Sequence, residues 1–453
     1  MTTSLDPAAG PAEGFGVGFA TQQLHAGREA GDPHQARATP IYLTAGFAFD
    51  DFDHAQVAFS GNEPDFIYSR HGNPTGESAE RRLAALERGS EAMLVASGQA
   101  ATSNALLAIL HAGDHLVSSG TIYEGTRGLF LEHLSRFGIS IDFVDDPTDL
   151  DAWRAAVTPS TRAFFAESIS NPKNNVLDIA AVAEIAHAAG APLIIDNTLA
   201  TPYLLRPIEH GADIVVHSAS KFLAGHGSVL GGFIVDAGTF DWSSGAYPHL
   251  SETRAIDGLT HVERYGRRAF AGFLRDLAVP RFGAAPSPIN AFLIEQGIET
   301  LSLRVDRQSA SAAQIARFLE AQPEVESVDY AGLESNPSHP TASRYLSRGF
   351  GSVFAFTLAG GEKSARSFYD SLRLFTKMTH LGDVRSLVIH PSTTTHNLRT
   401  EEEQLRAGIT PGLIRLSVGI EDVDDLIRDL AGAFAVVRDA PAEASRPDVV
   451  KVA

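Results

Sequence analysis

Seven short apolar segments between residues 93 and 235 constrain the fold of this chain more than any other feature of its sequence. Many of their residues are β-branched, and helical patterns separate most of them, as at 99–111, 125–137 and 179–189. The predicted strands are 93–97, 116–119, 139–144, 163–167, 192–196, 214–218 and 232–235. Buried strands that alternate with helices predict an α/β domain, in which helices cover both faces of a seven-stranded, mainly parallel sheet.

The pattern changes after about residue 290. A long helical stretch is predicted over 289–321, followed by shorter strands at 325–330, 352–358 and 413–418 and helices at 362–372 and 423–437. This order predicts a smaller C-terminal α+β domain. The predicted organisation is a disordered tail (1–20), an N-terminal arm with few helix signals (21–70), the large domain (71–288), the α+β domain (289–438) and a second tail (439–453).

The composition of the 453 residues excludes several classes of protein and site. The chain has no cysteine, which removes thiolate nucleophiles and disulfides, and its net charge of −19 argues against a nucleic-acid partner. No apolar run approaches the roughly 18 residues needed to span a membrane, and the N-terminus does not resemble a signal peptide, so we expect a cytoplasmic protein. Three histidines between residues 380 and 396 lack a carboxylate or cysteine that would complete a metal site, so no metal is expected.

Two neighbouring predicted strands end in side chains that could act on one ligand. Asp196 ends the first, and Ser218, Ser220 and Lys221 follow the end of the second. Because ligands of such sheets bind at the carboxyl ends of the strands, Asp196 and Lys221 could face one ligand from two sides. A buried ion pair, or two unrelated loop residues, would explain the same pattern. Lysine is scarce, and Lys377 is the only rival near the expected site, but it does not follow an apolar strand.

Two further strand ends carry features of a binding site. The turn Ser97-Gly98-Gln99 opens a helix with small residues, which lets backbone N–H groups approach an anion, and Tyr123 could stack on a flat ring. Taken singly, these are also consistent with a plain strand-to-helix turn and a core tyrosine. Together with Asp196 and Lys221 they match the needs of pyridoxal phosphate (PLP). Its phosphate needs donors, its ring a stacking partner, its pyridine nitrogen a carboxylate and its aldehyde a lysine amine.

Several motifs resemble those of the Cys/Met-metabolism family of PLP-dependent enzymes. They include YSRHGNPTG, SGQAA, HSASKFLAGHGSVLGG, LGDVRSLVIHPSTTTH and IRLSVGIED, and the resemblance extends from about residue 21 to 438. It implies an aminotransferase-like fold (fold type I). It also implies a homo-oligomer, at least a dimer and most consistent with a tetramer built from dimers that share active sites.

The resemblance also assigns roles to individual residues. Lys221 would carry the cofactor and act in catalysis with Tyr123, Asp196 would pair with the pyridine nitrogen, and Arg415 would bind the substrate α-carboxylate. The remaining positions are Ser97, Gly98, Gln99, Ser218 and Ser220 around the phosphate, Asn171 near the ring and the substrate, and Tyr68 and Arg70 reaching the cofactor of a neighbouring subunit, where Tyr68 would also meet the substrate. Two positions depart from the family pattern: Ser220 replaces a usual threonine, and His380 replaces a small polar residue at the substrate.

Within the family, three segments are most similar to the branch that makes homocysteine from O-acetylhomoserine and sulfide. These are LHAG…RATPIY, GGFIVDAGTFDW and VIHPSTTTH. The stretch after Phe240 is long before the next helix, and we expect it to form a lid that restricts the sulfur acceptor. The alternatives are cystathionine γ-synthase, O-succinylhomoserine sulfhydrylase and, because no cysteine follows Tyr123, less readily a γ-lyase. A non-catalytic binding scaffold and a nicotinamide dehydrogenase remain as alternatives from other classes, but no G-x-G-x-x-G motif follows the first strand.

Overall fold

The computed structural model describes residues 17–27, 34–60, 66–252 and 258–439, and its strands form two sheets. The strands are β1 (Glu91–Val95), β2 (His115–Ser119), β3 (Ser140–Val144), β4 (Thr161–Glu167), β5 (Leu193–Asp196), β6 (Ile214–Ser218), β7 (Gly232–Asp236), β8 (Val325–Asp329), β9 (Val353–Leu358), β10 (Thr376–Lys377), β11 (Leu387–Ile389) and β12 (Leu413–Ser417).

Helices flank both sheets. They are α1 (Phe19–His25), α2 (Phe52–Ser60), α3 (Pro74–Glu87), α4 (Gly98–Leu107), α5 (Glu124–Gly128), α6 (Leu150–Ala155), α7 (Ile179–Ala188), α8 (Thr201–Leu204), α9 (Pro248–Ser251), α10 (His261–Tyr265), α11 (Ala269–Phe273), α12 (Val279–Phe282), α13 (Pro288–Ile298), α14 (Leu301–Glu320), α15 (His339–Tyr345), α16 (Gly361–Ser371), α17 (Glu401–Arg406) and α18 (Val423–Asp439). π-Helical turns at Leu129–Leu134 and Leu274–Ala278 continue α5 and α11, and 3-10 turns lie at Ser135–Phe137, Pro207–His210, Gly266–Arg268 and Pro391–Thr393.

The large sheet confirms the predicted α/β class. Its strand order is β1-β7-β6-β5-β4-β2-β3, and only β7 runs antiparallel to its neighbours. The carboxyl ends of the other six strands therefore lie along one edge. Successive side chains of a strand point to opposite faces of the sheet. In β6, Val215 packs in the core on one face, and Ile214 and Val216 pack in the core on the other. The loops that follow β1, β2, β4, β5 and β6 all start at the same edge, which is where ligands of such sheets bind.

The second sheet has the order β10-β11-β12-β9-β8, with its own core between the sheet and α14, α16 and α18. Three of its strands match the predicted ones. The two short strands β10 and β11 were not predicted, because two or three residues are too few for a recognisable pattern.

The long helix predicted over 289–321 is divided into α13 and α14. Buried Arg304, in the first turn of α14, donates to the carbonyls of Gly297, Phe222 and Leu223. A Cβ at Gly297 would come within 2.3 Å of the carbonyl oxygen of Leu223, so α13 packs directly on the loop after Lys221. The break lets one guanidinium bind both the end of α13 and this loop, a tertiary contact that periodicity does not reveal.

The N-terminal part contains more helix than its sequence indicates. Helix α1 begins at Phe19, which is buried, so the expected boundary at residue 20 falls inside a helix, and α2 lies within the expected arm. Of the tails predicted over 1–20 and 439–453, the parts at 1–16 and 440–453 lie outside the described residues. None of the described helices is both long and apolar enough to cross a membrane.

Candidate active site

The strand-end residues line one cavity of about 650 Å³ at the carboxyl edge of the large sheet. Residues from the second sheet close it, so it lies between the two domains. Ten of the twelve residues predicted from the sequence line it: Ser97, Gly98, Gln99, Tyr123, Asn171, Asp196, Ser218, Ser220, Lys221 and Arg415.

The turn between β1 and α4 has the features of an anion site. Ser97 caps α4, its Oγ accepting from the N–H of Ala100 at 3.1 Å. The N–H groups of Gly98 and Gln99 lie in the first helical turn, and within the described ranges no hydrogen bond to either is found. A Cβ at Gly98 would lie 2.7 Å from Cβ of Ser218, so only glycine lets the turn approach the end of β6 this closely. Two N–H groups and the Ser218 hydroxyl are therefore close together beside the cavity.

The Tyr123 ring forms an aromatic part of the cavity wall. It is 48% exposed and lies over the first turn of α5, where a Cβ at Gly125 would come within 2.5 Å of its Cε1. The N–H of Tyr123 donates to Oε1 of Glu167 at 2.6 Å, which fixes the start of α5 to the end of β4.

Two carboxyl groups end adjacent strands of the sheet. Asp196 and Glu167 are register neighbours on β5 and β4. Burial, followed by the charge of Asp196, raises the pKa of Glu167 well above its usual value, which favours its protonated form. Burial also raises the pKa of Asp196, but hydrogen bonds from the Thr198 N–H and hydroxyl and the nearby His217 oppose the effect. Asp196 is thus the carboxyl of the pair that is better able to keep its charge.

The Lys221 amine is buried in the cavity wall. Its Nζ lies 3.0 Å from Nδ1 of His380. Burial, followed by the positive charge of Arg415, lowers the pKa of Lys221 to about 8. Burial and the charge of Lys221 lower the pKa of His380 to about 4, so the ring is neutral at physiological pH and its Nδ1 can accept from the lysine.

Arg415, in the middle of β12, brings a second cation to the cavity. Its Nη1 donates to Oδ1 of Asn171 at 3.2 Å, and its Nη2 donates to the carbonyls of Thr379 and His380, each at 3.0 Å. Its buried Nε has no partner among the described residues. The guanidinium is therefore held in place by neutral acceptors, and its charge is left available for an anion.

Tyr68 and Arg70 are the two predicted residues that do not line this cavity in their own chain. Tyr68 is 45% exposed, and Arg70 donates to the carbonyl of Pro280 at 2.7 Å. Their expected role in a neighbour's site stays a prediction.

The expected lid after Phe240 is wrong for the residues that the structure describes. Trp242 and Tyr247 are fully buried in the core of the large domain, where Trp242 contacts Tyr247 and stacks on Phe270. No described residue between 240 and 252 lines the cavity. The aromatic residues of this loop therefore indicate packing in the core and not a lid over the cavity.

Sequence reasoning missed several residues of the site. Glu167 could have been found, because it ends a strand just as Asp196 does. Fully buried Glu87 could not, because its contact with Nε2 of His217, at 2.6 Å, joins residues 130 positions apart. The described residues contain no group of three or more acidic or histidine side chains that could hold a metal ion.

The cavity fits PLP. The N–H groups of Gly98 and Gln99 and the Ser218 hydroxyl suit a phosphate, the Tyr123 ring suits an aromatic ring, and Asp196 suits a protonated pyridine nitrogen. The Lys221 amine, with its lowered pKa, suits the aldehyde. No side chain of the described residues fills the space between these groups.

Comparisons with known proteins agree with this fit. A family model described as Cys/Met metabolism PLP-dependent enzyme matches residues 20–435. The O-acetyl-L-homoserine sulfhydrylase of Corynebacterium glutamicum is 45% identical over 93% of this chain and 97% of its own length. The homocysteine synthase of Schizosaccharomyces pombe is 45% identical over 92% and 98%. A crystal structure from Campylobacter jejuni, which holds a pyridoxyl-lysine phosphate, has a TM-score of 0.89 and 35% identity over 92% of this chain and all of its own. The chain therefore belongs to the Cys/Met-metabolism family of PLP-dependent enzymes.

Proposed function

We propose that this chain catalyses a γ-replacement in which O-acetylhomoserine and sulfide become homocysteine and acetate. The names of the relatives from C. glutamicum and S. pombe support this activity. In the balanced reaction the Cγ–O bond of the ester breaks, a Cγ–S bond forms with hydrosulfide, and acetate carries away the negative charge. Homocysteine is a precursor of methionine, so the enzyme would serve methionine biosynthesis.

The cavity residues divide into those that would hold the cofactor and those that would hold the substrate. Lys221 would carry PLP and Asp196 would keep its pyridine nitrogen protonated. Tyr123 would cover its ring, and Ser97, Gly98, Gln99, Ser218 and Ser220 would surround its phosphate. When bound, PLP stabilises negative charge that develops on the substrate carbons next to the amine. Asn171, hydrogen-bonded to Arg415, would lie between the ring and the substrate.

Arg415 and Lys221 would act on the substrate itself. The Arg415 guanidinium would bind the α-carboxylate, because a planar fork matches a carboxylate. The Lys221 amine would remove the Cα proton, since a pKa of about 8 leaves part of it neutral at physiological pH. It would also transfer the protons at Cβ, with the Tyr123 phenol as a helper. His380, an acceptor at 3.0 Å, would keep the amine oriented.

One observation carries the choice of substrates. Among the described residues that line the cavity, Lys221 and Arg415 are the side chains that are positively charged at neutral pH. Burial lowers the pKa of His380 and of His396 to about 4, so neither imidazole adds a charge. Lys221 and Arg415 both have roles already, and no cation is left for a second carboxylate. Acetyl esters and sulfide need none, whereas succinyl esters and cysteine do.

The test is a comparison of four reactions of the purified enzyme. O-acetyl- and O-succinylhomoserine are each assayed with sulfide and with cysteine, and kcat/KM is compared because it reports differential transition-state binding. We expect homocysteine from the acetyl ester and sulfide to dominate. A preference for cysteine would instead identify a cystathionine γ-synthase, and a preference for the succinyl ester an O-succinylhomoserine sulfhydrylase. A protein with no visible cofactor band and no turnover would be a binding scaffold.

We further propose that the active unit is a homo-oligomer, a dimer or a tetramer built from dimers, in which neighbours share active sites. The N-terminal arm exposes large apolar side chains, including Leu43 (70%), Phe52 (81%) and Phe59 (64%). A cluster of exposed apolar side chains favours a protein interface. Tyr68 and Arg70 lie on this arm and would complete the site of the partner, where Tyr68 would also meet the substrate.

A further inference from the structure

A partly buried ion pair lies at the cavity wall beside Tyr123. Glu124, at the start of α5, lines the cavity together with Thr395 and His396. Its Oε1 accepts from Nη2 of Arg399, and it lies 3.7 Å from Nε2 of His396. The Glu124 and Arg399 side chains are only 20% and 12% exposed, so solvent screens the pair weakly. A second guanidinium besides that of Arg415 therefore lies directly behind the cavity wall, and its charge is already neutralised by Glu124.

The Arg399 guanidinium could still donate a further hydrogen bond. Its buried Nε has no hydrogen-bond partner in the described parts of the chain, and Glu124 is its ion-pair partner there. The neighbouring Arg127 stacks on Phe143, with its guanidinium carbon 4.2 Å from the ring centroid. If the Glu124 carboxylate were neutral, no carboxylate of the described residues would lie within ion-pair distance of Arg399, although Glu403 lies near enough to interact with its charge.

We propose that Glu124 determines substrate specificity: by occupying Arg399, it makes this site reject esters and thiols that carry a second carboxylate. The inference rests on the proposed function, in which Arg415 binds the α-carboxylate and the remaining cavity receives the acyl group and the sulfur donor. A carboxylate moved from water into this cavity must find a cation or lose its hydration without compensation. The negative charge of Glu124, which lines the cavity, also repels such a carboxylate directly.

The test is a gain of function in Glu124→Gln. The amide keeps the size of the side chain but not its charge, so Arg399 becomes available. We expect the ratio of kcat/KM for O-succinylhomoserine to that for O-acetylhomoserine, both with sulfide, to rise about 10- to 100-fold, the range of one charge-assisted hydrogen bond. Use of cysteine as acceptor should rise in the same direction. An unchanged or lower ratio would overturn the proposal.

The double variant Glu124→Gln/Arg399→Gln shows whether Arg399 is the group responsible. The gain must disappear in it, and a gain that persists would contradict the role given to Arg399. Arg399→Gln alone leaves Glu124 unpaired and should lower the ratio below that of the wild type, which keeps the proposal testable if Glu124→Gln does not fold. Glu362→Gln is the matched control, because its 3.2 Å pair with Arg366 is exposed and lies away from the cavity. Its ratio should equal that of the wild type.

A binding measurement separates this inference from the proposed function. Calorimetric titration with free succinate should give tighter binding to Glu124→Gln than to the wild type, and the double variant should lose this gain. If the wild type makes no homocysteine from the acetyl ester and sulfide, the proposed function is refuted. The succinate titration would still test the role of Glu124 in that case.

Discussion

The proposed chemistry of this site depends on the amine of Lys221. The pKa of this amine can be measured directly. Burial and the charge of Arg415 lower that pKa to about 8. Because only the neutral amine reacts in reductive methylation, we expect the rate at Lys221 in the cofactor-free protein to have its pH midpoint near 8. The exposed Lys363 is followed in the same experiment as an internal reference. Mass spectrometry of the few lysine peptides gives both curves from one sample.

Arg415→Gln tests the electrostatic part of this explanation. Removing a neighbouring positive charge makes the protonated amine less unfavourable, so the Lys221 midpoint should move to higher pH. The reactivity of Lys363 should be the same in both proteins and serves as the internal control. A wild-type midpoint near 10 at Lys221 would contradict the burial argument.

Most of the candidate site could be predicted at the level of single residues because most of its members lie at or shortly after a strand end. Arg415, in the middle of β12, was assigned from the family resemblance instead. Ser97, Asp196 and Lys221 carry that local signal, and the sheet then brings them to one edge. The contact between Lys221 and His380 joins positions 159 residues apart, and the pair of Glu124 and Arg399 joins positions 275 apart. Such contacts depend on how the second domain packs on the first, which no local pattern records.

Among the structural elements, the β1–α4 turn has little tolerance for a larger side chain. A Cβ at Gly98 would lie 2.7 Å from Cβ and 2.9 Å from Cα of Ser218, inside van der Waals contact. Gly98→Ala must therefore push α4 away from β6 and displace the N–H groups proposed to bind phosphate. We expect the dissociation constant for PLP to rise about 10-fold or more. The free energy of unfolding should fall by about 1–3 kcal/mol. Equilibrium titration of the cofactor band and thermal denaturation measure the two effects.

Gly432→Ala, in the middle of α18, is the control for this substitution. Apart from the adjoining backbone of its own helix, no atom of the described residues lies within 4 Å of the added Cβ, and alanine favours a helix over glycine by about 0.5–1 kcal/mol. Its stability should be equal or higher, with unchanged PLP affinity. Normal cofactor binding by Gly98→Ala would show that the turn does not hold the phosphate.

The elements themselves were predictable where burial imposes a period over several residues. All seven strands of the large sheet were found within two residues of their ends, because each contains a short apolar stretch between helical or turn patterns. The helix predicted over 125–137 shows the limit, since it starts as α5 and continues as a π-helical and a 3-10 turn. The apolar spacing of these forms differs too little over one turn to be distinguished in sequence.

At the scale of the whole molecule, the position of the N-terminal arm does not match the role expected of its residues. Arg70 and Tyr68 share a motif that implies a role at the cofactor, yet neither lines the cavity of its own chain. The exposed apolar side chains of the arm provide a surface through which a second copy could bring them there. The assembly proposed above makes each site depend on two chains, and this dependence has a quantitative consequence.

Mixing two inactive variants should restore activity if sites are shared. Arg70→Ala lacks the arm contact and Lys221→Ala lacks the amine, so a hybrid dimer contains one site with both defects and one with neither. Random reassociation of equal amounts forms hybrids in about half of the dimers, which gives about one quarter of the wild-type activity. Each variant refolded alone should stay inactive, and mixing without dissociation should restore nothing. Full activity of an isolated monomer, or of Arg70→Ala alone, would show that each chain completes its own site. The exposed arm would then need another explanation.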